Sequence, residues 1–351
     1  MDKVTVLNSH DIATLLDMPA VIQVVKDAYA EKTTKDGEIW PMVYNAFSDM
    51  ADTDIRSGLL KPKKIFGNKE LTWFGDNAKK NLPELHGVVT LYSSETGVPE
   101  AFINAPALTG FRTGAASAVA TKELANPNSE TLLIVGAGGQ AAYQIMAQIC
   151  VLPKLKQVLI YDPMSSENAG KFAQELPQKL TILFADNIQM NRPTVAAKIK
   201  ERIKQIKFIA ASNIIEATKN AQVIVTATPS TKPLIKAQWV QSGTHINAIG
   251  ADMEGKQELD TQLYQNARAF ADDLDQASGV GETQNPIKDN IIKKGDVTEI
   301  GDVIVQKSVG RQNTNEITIF DSTGIALQDL EAANLALQRA KRFNAGVVVD
   351  L

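Results

Sequence analysis

The run LLIVGAGGQAAYQ at residues 132–144 constrains this chain more than any other stretch. Four apolar residues lead into Gly136-Ala137-Gly138-Gly139-Gln140-Ala141, a G-x-G-x-x-A pattern that opens a helical segment. Each small residue has a physical task. Gly136 permits a tight strand-to-helix turn, Gly138 lets the backbone approach a ligand with no Cβ in the way, and Ala141 lets the helix pack close to the strand. The helix start then offers free N–H groups and a positive dipole end to phosphates. A glycine-rich turn alone is a weak signal, but the next apolar run, VLIYD, ends in Asp162, about 24 residues after Gly138. A carboxylate there accepts hydrogen bonds from the ribose hydroxyls and repels a 2′-phosphate. Together the two features predict dinucleotide binding, with NAD preferred over NADP.

The surroundings agree. TLLIVGAGG, KQVLIYDP, AQVIVTATPS, THINAIGAD and ARAFADD are short apolar runs separated by helical segments. That alternation predicts a parallel sheet with helices on both faces. A chain of 351 residues exceeds one core, and more than a hundred residues precede the fingerprint and need a second domain. There, VTVLNSHDIATLLDMPAVIQVVKDAYAEKTT reads as a short strand and then helices, and residues 38–75 as strands and loops. HGVVTLYSSETGVPEAFINA reads as a hairpin turning at SSETG, and GFRTGAASAVATKELANP as a small-residue helix stopped by Asn126-Pro127. Near the end, EITIFDSTGIALQDLEAANLALQRAKRF reads as a strand, a turn at Ser322–Gly324, and a long helix. That helix can fold back onto the N-terminal residues, leaving the nucleotide domain as an insertion. RPTVAAKIKERIKQIKF reads as a solvated basic helix between the second and third strands of the sheet, and ELDTQLYQ as a helix that a residue such as Glu258 can start.

Composition narrows the class. The net charge of -4 argues against a nucleic-acid partner. A lone Cys150, after an apolar helical stretch, excludes a disulfide framework and a cysteine-rich zinc site and reads as a buried structural thiol. His10, His86 and His245 have no ligand spacing, so no metal site is expected. No apolar run reaches the ~18 residues of a membrane span, and no basic segment precedes an apolar leader. A cytoplasmic enzyme or binding protein with no membrane partner is the simplest class.

LTGFRTGAASAVATKELANPNSETLLIVGAGGQA, TATPS, HINAIGADMEGKQELD and ITIFDSTGIALQDL together resemble the ornithine cyclodeaminase/μ-crystallin family, in the family's order, from about residue 60 to 335. The resemblance implies an α/β chain. A Rossmann-type NAD-binding domain, residues 119–322, is inserted in an α+β substrate-binding and dimerisation domain, residues 1–118 completed by 323–351. It implies a homodimer and a small amino-acid or imino-acid substrate. By the same matching, Arg112 holds the substrate carboxylate beside the nicotinamide, and Lys69 and Thr323 also face substrate. Gly136, Gly138, Gly139 and Gln140 form the phosphate turn, and Asp162 takes the ribose. Thr228, Ala248, Gly250, Lys256 and Ser322 make further cofactor contacts. Asp252 is the acid/base, with Gly250 and Ala251 leaving room for the nicotinamide.

These residue types suit the implied chemistry. A guanidinium fork holds a carboxylate bidentately and a lysine adds a second positive charge. Asp252 takes a proton from the substrate ammonium as hydride leaves the α-carbon. In a cyclodeaminase the imine is then closed by the δ-amine, ammonia leaves, and the hydride returns, so the cofactor is regenerated in place. Three departures from the family pattern bear on substrate. Met42 stands where many members carry a basic residue, with Arg56 or Lys61 as substitutes. DIRSGLLKPKK lacks the glutamate that holds a δ-ammonium, the nearest acids being Asp52 and Asp54. Glu84 stands where some members have threonine. The leading expectation is an ornithine cyclodeaminase-like enzyme. A cyclic imine reductase or amino-acid dehydrogenase on the same scaffold is the alternative, and a non-catalytic nucleotide-binding protein is a third.

Overall fold

The computed structural model describes residues 3–351, and no helix among them is long and apolar enough to cross a membrane. The chain divides into two compact units. One is the chain up to Arg112 together with Ile325–Leu351, and the other is Thr113–Gly324.

The first unit is an eight-stranded sheet. Its order is Val347–Asp350, Lys3–Leu7, Pro99–Asn104, Leu85–Ser93, Ile65–Phe74, Ala51–Leu60 and Gly37–Ile39, with Val43–Ser48 also paired to Ala51–Leu60. Every pairing is antiparallel except Lys3–Leu7 with Pro99–Asn104. The expected hairpin is the Leu85–Ser93 and Pro99–Asn104 pair, with Gly97 in the loop at φ 74. The strand Val347–Asp350 was not legible, because three valines after Asn344-Ala-Gly carry no alternation.

Two helices, Met18–Thr34 and Ala326–Phe343, pack on each other, and the second also lies on Ala51–Leu60 and Ile65–Phe74. Asp17 caps the first of these by accepting from the Ala20 N–H, and its other oxygen pairs with Arg339 of the second at 2.9 Å. The facing strands show how the packing is achieved. Alternation puts Arg56, Gly58 and Leu60 on the buried face of one strand and Ile65, Gly67 and Lys69 on that of its neighbour. The register pairs Leu60 with Ile65, Gly58 with Gly67, and Arg56 with Lys69. A Cβ on Gly67 would lie 2.0 Å from the Thr90 carbonyl and 3.0 Å from Leu330, and one on Gly58 would lie 3.3 Å from Leu327. The glycine pair therefore lets the Ala326–Phe343 helix close down on the sheet, and the next pair along, Arg56 and Lys69, meets that helix with charge.

The second unit is an eight-stranded sheet, all parallel. Its order is Lys207–Ala210, Gln157–Tyr161, Thr131–Val135, Val223–Thr226, His245–Ala248, Ile317–Asp321, Ala267–Ala271 and Val297–Glu299. The first five positions have the doubly wound 3-2-1-4-5 sequence order, reversing between Thr131–Val135 and Val223–Thr226. Thr131–Val135, Val223–Thr226 and His245–Ala248 are buried throughout, which is why they read as continuous apolar runs. Lys207–Ala210 was not read as a strand, since it is an edge strand that begins with lysine and is largely exposed. The basic segment before it is the helix Pro193–Lys204, which buries only Ala196, Ile199 and Ile203.

Two expectations need correction. ELDTQLYQ is not a helix started by Glu258. Gln257–Leu259 is a short strand beside Thr231–Ile235, and Asp260 caps the 3-10 turn Thr261–Gln265. Cys150 is only half-buried, because it lies in the last turn of the Ala141–Val151 helix.

Candidate active site

In the first unit, the helix Ala105–Leu124 delivers Arg112, the strand Ile65–Phe74 delivers Lys69, and the helix Ala326–Phe343 delivers Asp329. Arg112 donates through Nε to Asp329 Oδ1 at 3.0 Å and through Nη1 to Gln328 Oε1 at 3.3 Å. Lys69 Nζ lies 3.0 Å from Asp329 Oδ2, and both side chains are 1% exposed. Arg56, also buried, donates to Asp54 Oδ2 at 2.7 Å. Three cations thus face two carboxylates, a formal excess of one positive charge. Burial pulls the Lys69 ammonium down to about 8, and the Arg112 cation adds to it against the attraction of Asp329. Burial pushes Asp329 upward, but Arg112 and Lys69 together hold it below its ordinary value. The hydroxyl of Thr109, one turn before Arg112, is buried with no hydrogen-bond partner. A buried cluster with a positive excess and a spare polar atom is suited to one anion.

Asp329 is the residue that sequence reasoning missed here. Its signal was an acid inside the apolar face of a helix, where an unpaired charge is costly. Lys61 does not join the cluster, because it is exposed and pairs with Glu38 at 2.7 Å. Glu84 is exposed on the loop before Leu85–Ser93.

In the second unit, the remaining candidates gather at the carboxyl ends of the parallel strands. Gly136 has φ 106, and its N–H bonds to the Tyr161 carbonyl. A Cβ there would lie 2.7 Å from the Ala227 carbonyl, so the turn itself requires glycine. A Cβ on Gly138 or Gly139 would meet no protein atom within 4 Å. Gln140 precedes the Ala141–Val151 helix without capping it, and its Oε1 is buried with no partner. Asp162 accepts from the Met164 N–H at 2.8 Å and from the Asn168 amide. Open space over two glycines and a helix start with free N–H groups fit a pyrophosphate, and the half-buried acid fits a ribose.

Further along the same edge, Asp252 sits in the loop after His245–Ala248, and its Oδ1 accepts from Lys256 Nζ at 2.6 Å. Its side chain is 42% exposed and caps no helix. Thr228 donates through both N–H and hydroxyl to Glu258 Oε1 at 2.7 Å. The room expected from Gly250 is taken by protein: a Cβ there would lie 2.1 Å from the Thr228 carbonyl and 2.7 Å from Glu258 Cδ. The Ser322 and Thr323 hydroxyls both donate to the buried Asp272, which also accepts from the Thr323 and Gly324 N–H groups. Asp272 was passed over in the sequence because its partners lie 50 to 52 residues away. Among the described residues no group of His, Cys, Asp and Glu is arranged to hold a metal ion.

The sheet order and the glycine turn define a doubly wound dinucleotide-binding protein. The model of the ornithine cyclodeaminase/mu-crystallin family matches residues 2–186 and 181–344, and the chain belongs to that family. A solved archaeal alanine dehydrogenase dimer with bound NAD is 33% identical, with a TM-score of 0.87 over 99% of each chain. The iminosuccinate reductase of Paracoccus denitrificans is 30% identical over 99% of each chain. The Thermococcus litoralis Δ(1)-pyrroline-2-carboxylate reductase, solved with NADH and L-proline, is 27% identical, with a TM-score of 0.87 over 98% of this chain and 99% of its own. The family resemblance and the α/β fold class read from the sequence are both upheld. All three of these enzymes are solved with NAD or NADH bound.

Proposed function

We propose that this chain is an NAD-dependent oxidoreductase that interconverts an α-amino acid bearing one carboxylate with its α-imino acid. The observation that carries the reading is the buried Arg56–Lys69–Arg112 cluster, whose two carboxylates leave one positive charge over. A single substrate carboxylate closes that count. A second carboxylate would leave a negative excess, and a distal ammonium would enlarge the positive one, each at a cost of several kcal/mol when buried (~3–5). Alanine and cyclic imino acids fit, and the relatives named for alanine and pyrroline-2-carboxylate support this choice over the one named for iminosuccinate. The same count moves the net redox reading ahead of ornithine cyclodeaminase.

Residue roles follow from the chemistry. Lys69 and Arg112 hold the carboxylate and fix the α-carbon. Gly138, Gly139, Gln140 and Asp162 hold the dinucleotide, which accepts or returns the hydride when bound. Asp252 accepts the proton from the substrate ammonium in oxidation and returns it to the nitrogen in reduction, and Lys256 Nζ donates to its Oδ1 at 2.6 Å. One observation favours the cyclodeaminase: Asp54 Oδ1 is buried without a hydrogen-bond partner and could accept from a distal ammonium.

The test is NADH absorbance and ammonia measured in parallel. The proposal expects stoichiometric NADH with L-alanine, or NADH consumption with pyruvate plus ammonia or a cyclic imine. Ammonia release from ornithine at constant NADH supports the cyclodeaminase instead. Preference for oxaloacetate plus ammonia would overturn the single-carboxylate argument. We also propose a homodimer. Val43 and Phe47 are 51% and 60% exposed on a strand that is exposed throughout, and Phe47 stacks on Phe74 beside it.

A further inference from the structure

We propose that Glu258 is a positioning residue: its buried carboxylate closes the loop that carries Asp252 and locks that loop to the Thr228 turn. This rests on the reading of Asp252 as the acid/base. The loop leaves the strand His245–Ala248 and returns in the strand Gln257–Leu259. Glu258, on the returning strand, reaches back to its start. Oε2 accepts from the Gly250 N–H at 2.9 Å and from the Thr226 hydroxyl at 2.7 Å, while Oε1 accepts from the Thr228 N–H and hydroxyl. One carboxylate therefore ties both ends of the loop to the end of the neighbouring strand Val223–Thr226. Asp252 lies two residues past the tied Gly250, and its partner Lys256 lies two residues before Glu258. A shift of either anchor moves the acid and its partner together.

The chemistry of the clamp is specific. Each oxygen faces one backbone N–H, which can only donate, and one threonine hydroxyl, an arrangement that suits an ionised carboxylate. A glutamine has one oxygen for these four donors and must turn its NH2 toward N–H or O–H groups on one side. Gly250 is shaped for the same contact, since any Cβ there would strike the Thr228 backbone and Glu258 itself. Glu282 lies beside the clamp and accepts from the Glu258 and Leu259 N–H groups. Burial raises both carboxyls; the Glu258 charge adds to the rise at Glu282, while the Thr228, Thr226 and Gly250 donors oppose it at Glu258.

The experiment compares Glu258→Gln, Gly250→Ala and Glu282→Gln in the full chain, reading kcat, the KM for the amino acid, NADH affinity and Tm. A misplacement of about an ångström lowers a rate about a hundredfold. Glu258→Gln and Gly250→Ala are expected to lose at least tenfold in kcat, with the amino-acid KM within about threefold of wild type. Glu282→Gln, which leaves all four donors to the Glu258 carboxylate in place, is expected to keep kcat within about threefold. Should Glu258→Gln fail to fold, Gly250→Ala carries the test. Wild-type kcat in Glu258→Gln, or an equal loss in Glu282→Gln, overturns the proposal. Asp252→Asn separates the two layers. Full activity there refutes the acid/base reading, whereas an inactive Asp252→Asn beside a fully active Glu258→Gln refutes only the clamp.

Discussion

Replacing Lys69 with methionine isolates the charge argument. The ammonium is 3.0 Å from Asp329 and almost wholly enclosed. Methionine keeps the length of the side chain and removes the charge, so the cluster drops from an excess of one positive charge to neutrality. An incoming carboxylate then becomes the uncompensated ion. Losing one hydrogen bond to a charged group is worth about 1.5–3 kcal/mol, or roughly a 10–150-fold rise in the amino-acid KM. The fold is expected to survive. Depression of the ammonium from 10.5 to about 8 means that keeping Lys69 charged already costs roughly 3 kcal/mol at neutral pH. Asp329 also retains Arg112 at 3.0 Å, so Tm should equal or exceed that of wild type.

The pH dependence has a definite sign. Lys69 in the free enzyme loses its proton through about 8, so wild-type kcat/KM for the amino acid should fall above that pH, toward tenfold per pH unit. The methionine variant should lack this limb. Stability runs the other way. The unfolded chain binds more protons between about 8 and 10.5, so stability rises with pH across that window. Initial rates at saturating NAD from about pH 7 to 9.5 test the activity profile, with the KM for NAD as internal control, and urea melts from about pH 8 to 10 test the stability. A flat wild-type profile, or a Lys69→Met KM within about threefold of wild type, would refute the reasoning.

Three further outcomes are expected. Asp162→Ser removes the charge that repels a 2′-phosphate, and should lower the KM for NADP by about tenfold while raising that for NAD; unchanged cofactor preference would count against the ribose assignment. Gly136→Ala forces a Cβ toward the Ala227 carbonyl at a positive φ, and should lower stability in urea by about 1–3 kcal/mol. Asp321 is raised by burial from 3.8 to about 7. Its contribution is therefore full below 3.8 and is lost as pH rises through about 7. Asp321→Asn should accordingly gain more stability relative to wild type in urea melts at about pH 8 than at about pH 5.

Legibility in the sequence followed the range of the interactions. The glycine turn, the strand before it and Asp162 lie within about thirty residues, and their backbone demands are local, so the parallel-sheet unit could be read directly. The hairpin at residues 85–104 was legible for the same reason. Asp329 was not, because it meets Arg112 across 217 positions of sequence. Asp272 looked like a strand end and proved to fix the Ser322–Gly324 turn. Glu258 illustrates a different failure. An acid before Leu-Asp-Thr matches a helix start, yet tertiary donors from Thr226, Thr228 and Gly250 claim it, and the segment is a strand.

The glycine pair at positions 58 and 67 has a consequence for biosynthesis. Those two residues leave a trough in the first sheet that the Ala326–Phe343 helix fills, and Asp329 on that helix neutralises part of the charge lining it. The ribosome makes Arg112 long before it makes Phe343. At about 5–20 residues per second, some 230 residues separate them by roughly 12–46 s. Throughout that interval Arg56, Lys69 and Arg112 outnumber their acids on a half-built sheet, while the intervening residues hold a self-contained parallel fold of their own. The nascent chain is thus expected to mature from the middle outward, with its buried cationic cluster the last part to form and the stretch before Arg112 the part most in need of a chaperone.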